Sequence, residues 1–135
     1  MGTQEFYENG LLEKISSYSY EYSEHDGHDL KRTVETEYYE DGPLKIQRVI
    51  QELKDDIEKE NFKEYYTNGF LKIESEIMAL NKNGVYREYF ENGNTKYEGI
   101  FKDDKPIDKQ CFYNSKGEIT KIETWKYGKI IKTMN

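Results

Sequence analysis

Residues 64–69 read Glu-Tyr-Tyr-Thr-Asn-Gly, and copies of this hexapeptide recur along the chain. The others are Glu5-Phe6-Tyr7-Glu8-Asn9-Gly10, Glu37-Tyr38-Tyr39-Glu40-Asp41-Gly42, Glu88-Tyr89-Phe90-Glu91-Asn92-Gly93 and a degenerate Phe112-Tyr113-Asn114-Ser115-Lys116-Gly117. Self-similarity at a nearly constant spacing is the sequence signature of a repeat architecture. The chain is therefore predicted to consist of units of about 23 residues, with insertions that grow toward the N-terminus.

Each motif ends in a turn signal. Asn-Gly and Asp-Gly accept positive φ at both centres of a type I′ turn, whose twist matches that of the two strands it joins. Hairpin tips are predicted near residues 9–10, 41–42, 68–69, 92–93 and 115–117. The glycines expected to have a structural role in these turns are Gly10, Gly42, Gly69, Gly93 and Gly117.

The segment after each tip alternates between apolar and charged residues. Leu71 and Ile73 flank Lys72, and Glu74 follows, which is the period of a strand with one buried face. Return turns are predicted at Asp26-Gly27, near Asp55-Asp56, at Asn83-Gly84 and at Asp103-Asp104-Lys105-Pro106. The predicted fold is all-β: an elongated antiparallel meander of tandem β-hairpins, about ten strands in one domain over residues 1–135.

The apolar residues between positions 47 and 60 fit both the two-residue period of a strand and the period of a helix. Val49, Ile50, Leu53 and Ile57 also fit the spacing of an amphipathic helix. Alignment with the other repeats favours a strand to about Lys54 followed by a lengthened loop, and this second interpretation is preferred.

The pattern Tyr-Tyr-x-Asn-Gly-x-Leu-Lys-x-Glu, from Tyr65 to Glu74, resembles the variant MORN repeats of bacterial proteins, some of which are labelled antitoxin-like. The resemblance covers nearly the whole chain and is strongest over residues 60–105. It implies a twisted sheet of hairpins with a scaffold or protein-binding role. It implies no catalytic residues.

The chain carries 27 acidic and 20 basic residues, a formal net charge of -7. Such a surface repels phosphate backbones and anionic lipid, so neither nucleic-acid binding nor strong membrane binding is predicted. No apolar run approaches the 18 or more residues that a membrane span requires. A cytoplasmic location is predicted, and export with a removed leader stays open.

Candidate chemical sites are few. His25, Asp26, His28 and Asp29 form a compact cluster that suits a divalent metal, but a polar hairpin turn is the preferred interpretation. Cys111 has no nearby partners for a thiol triad and is expected to be a small buried residue. Phosphate loops and nucleophile elbows are absent from the sequence. No enzymatic activity, metal or cofactor is predicted.

Aromatic residues make up 15% of the chain, and 13 are tyrosines. Most of the rings in the motifs and in residues 18–22 are expected to stack as core, and the remainder to form a binding surface. Adjacent residues point to opposite faces of a strand, so one ring of each pair is expected to face outward. The candidate surface comprises Tyr38, Tyr39, Tyr65, Tyr66, Tyr89 and Phe90. The predicted function is a non-enzymatic scaffold that binds another protein; the alternative is an antitoxin-type or immunity-type inhibitor of a basic toxin.

An open meander has two edge strands with unpaired backbone groups. The sequence places them near Phe6-Tyr7 and near residues 129–132, where Lys129 and Lys132 flank two isoleucines. Either a missing preceding strand at the N-terminal edge or edge pairing with another chain is expected.

Overall fold

A computed structural model describes all 135 residues as one antiparallel sheet whose strands follow one another in chain order. The strands are β1 (Gly2–Phe6), β2 (Leu12–Ser23), β3 (His28–Tyr38), β4 (Leu44–Glu52), β5 (Glu58–Tyr65), β6 (Leu71–Met78), β7 (Asn81–Tyr89), β8 (Thr95–Lys102), β9 (Lys105–Tyr113), β10 (Ile119–Lys126) and β11 (Lys129–Met134). The predicted all-β meander is confirmed, with eleven strands. At a strand spacing of about 4.8 Å, the edge strands lie roughly 48 Å apart.

The segment from residue 47 to residue 60 is a strand, a short turn and a second strand. β4 ends at Glu52, one 3-10 turn covers Lys54–Asp56, and β5 begins at Glu58. The preferred strand interpretation is confirmed, because pairing with β3 and β5 outweighs the local helical period. No helix in the structure is long and apolar enough to cross a membrane.

The tips differ from the type I′ turns expected from their Asn-Gly and Asp-Gly dipeptides. At the third tip, the Gly69 amide donates to the Tyr66 carbonyl at 3.0 Å, and the Tyr66 amide donates to the Phe70 carbonyl at 2.8 Å. Gly69 has φ +90°, whereas Asn68 does not have positive φ. This is a type I turn followed by a left-handed glycine. The Asn68 side chain accepts from the Phe70 amide and therefore replaces a backbone partner.

The prediction of a return turn at Asn83-Gly84 is wrong. The strands instead reverse at Ala79-Leu80, where both residues have positive φ and Met78 pairs with Asn81. The dipeptide Asn83-Gly84 lies inside β7, in a bulge where Glu76 alone faces three residues. Gly84 has φ +106°, so the glycine signal that suggested a turn marks a bulge. Positive φ also occurs at Asp103 and Asp104, the predicted β8–β9 turn.

Burial is sparse because the sheet has no second layer. Only four of 135 residues are buried, and Tyr86 is the sole aromatic among them. The expectation that most of the repeated tyrosines form a core is wrong, since a core needs two packed layers. The accessible surface is 9097 Å², against about 7,500 Å² expected for a compact monomer of this mass. Both faces of the sheet therefore remain open to contacts.

Two rows of side-chain hydrogen bonds join successive tips. The hydroxyls of Tyr7, Tyr39 and Tyr66 each donate, at 2.7 Å, to the carbonyl of the first motif aromatic in the next unit, at Tyr38, Tyr65 and Tyr89. The amides of Asn9, Asn68 and Asn92 donate to the carbonyls of Glu40, Glu91 and Ser115. Asp41 occupies the equivalent position and has no amide hydrogen to donate. The motif residues thus hold neighbouring hairpins together without a core.

Exchanging the ring type at this repeat position tests the tyrosine row. Tyr66→Phe is expected to lower the free energy of unfolding by about 1 kcal/mol, because it removes one hydrogen bond between units. Phe90 occupies the same repeat position without a hydroxyl, so Phe90→Tyr is expected to raise stability by up to about 1 kcal/mol. Urea unfolding of both variants measures the two effects. Equal stability of all three proteins would contradict a role for the row.

Candidate functional site

The sheet face that carries Phe62, Tyr86, Tyr97, Phe101 and Phe112 is here called the aromatic face. Strand register places these rings on one side, since Tyr86 pairs with Gly99 and Tyr97 pairs with Phe112. The Tyr86 ring centroid lies 5.6 Å from that of Phe101 and 5.9 Å from that of Tyr97, and Tyr97 lies 4.9 Å from Phe112. The rings form a contiguous apolar surface, and all except Tyr86 are half-buried.

Cationic side chains lie over rings of this face. The ammonium of Lys82 is 4.0 Å from the Tyr86 ring centroid and 5.1 Å from that of Phe101. Lys121 lies 4.2 Å from the Phe112 centroid. Such contacts combine electrostatic attraction to the ring with coverage of apolar area by the lysine stem. The face is therefore apolar and locally cationic.

A second set of lysines recurs at one repeat position, shortly after the tips. A one-residue bulge follows each tip, and in the three middle units the extra residue is a lysine, at Lys45, Lys72 and Lys96. It is Glu13 in the first unit and Thr120 in the last. The ammonium groups of the three lysines lie 5.6, 5.6 and 5.8 Å from the ring centroids of Tyr39, Tyr66 and Phe90. A bulge redirects the side chain at the extra position.

Two adjoining grooves cross the aromatic face. The first, of about 420 Å³, is lined by Arg48, Glu60, Phe62, Ile73, Ser75, Ile77, Lys82 and Tyr86. The second, of about 370 Å³, is lined by Lys82, Tyr86, Glu88, Lys96, Tyr97, Phe101 and Phe112. Lys82 and Tyr86 line both, so the two recesses adjoin at these residues and are together called the groove. The volume of each recess is within the range of small-ligand or side-chain pockets.

The buried side chain of Gln110 packs against Gly99 and orients Tyr97 at one end of this surface. The Gln110 side chain is 1% exposed and covers Gly99. Its amide nitrogen donates to the carbonyls of Ile100 and Ile107 at 3.0 and 2.8 Å, and its oxygen accepts from the Tyr97 hydroxyl. Every buried polar atom of this side chain is satisfied. The Tyr97 ring is consequently held in one orientation.

The opposite face combines apolar residues such as Val85 and Ile100 with a charged network. The Arg87 guanidinium lies 3.0 Å from the Glu74 carboxylate and 3.4 Å from that of Glu98. The Tyr89 and Tyr113 hydroxyls donate to Glu74 and Glu98 respectively, each at 2.6 Å. These two tyrosines occupy equivalent repeat positions, and so do the two glutamates. This network joins β6 to β9.

The tyrosines of the two faces have raised pKa values. Burial and the hydrogen bond to Glu74 raise the pKa of Tyr89 to about 12. The hydrogen bond to Glu98 and burial raise the pKa of Tyr113 to about 12. Burial, with the charges of Glu123 and Glu88, raises the pKa of Tyr97 to about 12. These hydroxyls therefore stay protonated as donors at neutral pH.

Acid titration tests the Glu74 network. Burial favours a higher pKa for Glu74, but the hydrogen bonds from Tyr89 and Arg87 outweigh it and lower the pKa from 4.5. A lowered folded-state pKa stabilises the fold above the unfolded-state value, and this contribution is lost as pH falls through the folded-state value. Glu74→Gln is therefore expected to flatten the fall in stability below pH 4.5, as measured by urea unfolding from neutral to acidic pH.

Glu60 provides an internal control for that measurement. Burial raises the pKa of Glu60 despite the nearby Arg48, so its protonation favours the folded state as pH falls. Its contribution has the opposite sign and is common to both proteins, so the difference between them isolates Glu74. Parallel pH profiles would contradict a stabilising charge on Glu74.

The six residues of the candidate binding surface do not form one patch. Tyr89 reaches the Glu74 network on the opposite face, whereas Phe90 lies under Lys96. The two rings of that pair thus point to opposite sides. Tyr39 and Tyr66 lie under lysines and join the units through their hydroxyls. All six candidates, Tyr38, Tyr39, Tyr65, Tyr66, Tyr89 and Phe90, are half-buried.

Sequence reasoning did not single out Phe62, Tyr86 and Gln110 as parts of a candidate site. A usable signal was present, because the tips at Gly69, Gly93 and Gly117 are spaced by 24 residues (93 − 69 and 117 − 93). Phe62, Tyr86 and Gln110 are also spaced by 24 residues (86 − 62 and 110 − 86). They therefore occupy one repeat position, in the middle of the strand that precedes each tip. These residues lie outside the recurrent hexapeptide, so the motif alone does not indicate them.

The other candidate residues lie apart from this face. The Asp26 carboxylate accepts from the Ser23 hydroxyl at 2.6 Å, which lowers the pKa of Asp26, and His28 contacts the Asp26 carbonyl. No group of three or more His, Cys, Asp or Glu side chains is arranged to hold a metal. Cys111 is free and half-buried, in contrast to its expected burial, because β9 lacks a covering layer.

The edge strands are β1 and β11, at the predicted places. Every residue of β11 is exposed, including Ile130 at 46% and Ile131 at 60%. Lys129 and Lys132 flank this pair, which is a charged protection typical of natural edges. Edge pairing with another chain stays a prediction.

No family model matches this chain, and no curated protein matches it.

Proposed function

We propose that this protein is a non-catalytic repeat scaffold that binds another protein through its aromatic face. The observation that carries the proposal is the groove, whose two recesses adjoin at Lys82 and Tyr86 and which a single-layer sheet leaves uncovered. The similarity to variant MORN repeats supports the same role, since it implies a sheet of hairpins that binds proteins.

The exposure of the face supports binding. Clustered aromatic side chains on a rigid surface are typical of the residues that contribute most to protein–protein affinity. The accessible surface exceeds that of a compact monomer by roughly 1,600 Å², about twice the area of roughly 800 Å² that one partner buries in a standard interface. The ring orientations are fixed by Gln110 and by the contacts among Tyr86, Tyr97 and Phe112, so little side-chain entropy is lost on binding.

The state of the charged groups supports a role without catalysis. The Glu74 and Glu98 carboxylates are held by Arg87 and by tyrosine hydroxyls, and the Arg48 guanidinium contacts Glu37 and Glu60. Each of these groups therefore has partners within the sheet, which gives it a structural role.

Site-specific photo-cross-linking in the native host tests the proposal. A benzophenone amino acid is placed at Ile73, in the groove, and at Lys109, on the opposite face, as the matched control. We expect a discrete protein adduct from position 73 and none from position 109, identified by mass spectrometry. Equal adducts from both positions, or none from position 73, would contradict binding through the aromatic face.

The net charge of -7 favours a second candidate function, an inhibitor of the antitoxin or immunity type that covers a basic partner. Co-purification with a small basic protein encoded next to this one would support it. Salt-resistant binding to a partner without a basic surface would exclude it.

A further inference from the structure

We infer that the groove of the aromatic face recognises a partner segment in which an apolar side chain is flanked by carboxylates. This inference rests on the proposed function and names the chemistry of the partner. Its basis is the combination of an aromatic floor with ammonium groups that no carboxylate of this chain neutralises.

The two lysines at the centre and at the tip end of the groove lack ion-pair partners. Neither the Lys82 ammonium nor the Lys96 ammonium has a carboxylate oxygen within 4.0 Å. The equivalent bulge lysine of the preceding unit, Lys72, does have one, because it lies 3.6 Å from Glu64. Lys121, beside the groove, is paired with Glu123 at 2.9 Å. The groove thus keeps two ammonium groups without an ion-pair partner, whereas the nearby Lys72 and Lys121 are paired with glutamates.

The acidic residues of the groove are already engaged. The Glu88 carboxylate accepts from the Tyr86 hydroxyl at 2.8 Å, and the Glu60 carboxylate lies 3.3 Å from the Arg48 guanidinium. Lining residues of both grooves together comprise three cations, Arg48, Lys82 and Lys96, and two anions, Glu60 and Glu88. The lining therefore has a formal charge of +1 (3 − 2) on a chain of net charge -7.

Part of the negative charge lies far from the groove. Charges separated by more than about 8 to 10 Å are largely screened at physiological ionic strength. The sheet extends roughly 48 Å between its edges, so carboxylates near the two edge strands lie beyond that range. At the groove itself, Lys82 and Lys96 are the cations without an ion-pair partner, beside the engaged Glu60 and Glu88.

The floor of the groove selects the apolar element. Tyr86, Tyr97, Phe101 and Phe112 line the groove, and Ile73 and Ile77 continue the apolar lining toward β5. An aliphatic or aromatic side chain buries its surface there, while an adjacent carboxylate reaches the ammonium of Lys82 or Lys96. Both halves of the segment are needed, because an exposed ion pair alone contributes little affinity.

Three blocked peptides test the inference by NMR titration of the isotope-labelled protein. They are acetyl-Asp-Leu-Phe-Asp-amide, its Asn-Leu-Phe-Asn analogue and its Lys-Leu-Phe-Lys analogue. We expect the acidic peptide to shift the resonances of Tyr86, Tyr97 and Phe101 and to bind about fivefold more tightly than the neutral one. The double variant Lys82→Met/Lys96→Met should bind the acidic and neutral peptides equally.

Lys45→Met is the matched control, since Lys45 occupies the bulge position over the Tyr39 ring and lies outside the groove. It should retain the preference for the acidic peptide. Amide spectra of both variants establish that the sheet is intact. Equal binding of acidic and neutral peptides by the wild type would overturn the inference and leave the proposed binding face standing.

Tighter binding of the lysine peptide would overturn the inference and favour the basic partner of the inhibitor alternative. Absence of any shift on the aromatic face with all three peptides would overturn it together with this face as the binding surface. Unchanged selectivity in the double variant would remove the role of the two lysines.

Discussion

Gly69→Val is expected to lower the free energy of unfolding by about 2 to 4 kcal/mol. Gly69 has φ +90°, a conformation in which a β-branched side chain is strained. A Cβ at this position would meet no heavy atom within 4 Å, so the cost arises from the backbone and not from a clash. The turn cannot easily relax, because two backbone hydrogen bonds close it and the Asn68 amide joins it to Glu91.

Gly69→Asn is the control for this substitution. Asparagine enters the left-handed region more readily than other non-glycine residues, so its cost should be clearly smaller than that of valine. Urea unfolding of both variants provides the comparison. Equal stability of the valine variant and the wild type would show that the tip is not closed by a left-handed residue.

Gly99→Val is expected to cost about 3 kcal/mol for a different reason. Gly99 does not have positive φ, but a Cβ added there would overlap the Gln110 side-chain oxygen. That oxygen accepts from Tyr97, and the amide nitrogen of Gln110 bonds two carbonyls. Valine therefore displaces a fully buried side chain and leaves up to three polar partners unsatisfied.

A double-mutant cycle separates packing from backbone strain at this position. Gln110→Ala alone should cost about 1 to 3 kcal/mol through lost hydrogen bonds. The double variant Gly99→Val/Gln110→Ala should be more stable than the sum of the two effects implies, because alanine vacates the space that valine needs. Strict additivity of the two losses would mean that the two side chains do not compete.

Sequence reasoning located the tips but not their geometry. Asn-Gly at residues 68–69 indicated a reversal correctly, because the glycine requirement is local to the turn. The turn type depends on where the flanking strands resume pairing, and a bulge at Lys72 makes the loop longer than a type I′ turn allows. At Asn83-Gly84 the same local signal marked a bulge within β7, since Met78 and Asn81 already close the hairpin at Ala79-Leu80.

The candidate site was predicted only in part. Adjacent aromatics were expected on opposite faces, and Tyr89 and Phe90 show that arrangement. Their hydrogen-bonding roles were not foreseen, because the carbonyl that accepts from Tyr66 lies 23 residues away and becomes a neighbour only when the hairpins are side by side. The contacts of Gln110 with Gly99 and Tyr97 were missed for a similar reason, because these residues become neighbours only when β8 and β9 pair.

By itself the sequence determined the class of fold, the positions of the tips and the alternation of each strand, because these follow from local backbone preferences and side-chain period. The tertiary structure alone decided that the sheet has one layer, with only four buried residues. It also decided which rings share a face with Lys82. Both depend on strand register and on what packs against the sheet, and a register shift of one residue moves a side chain to the other face.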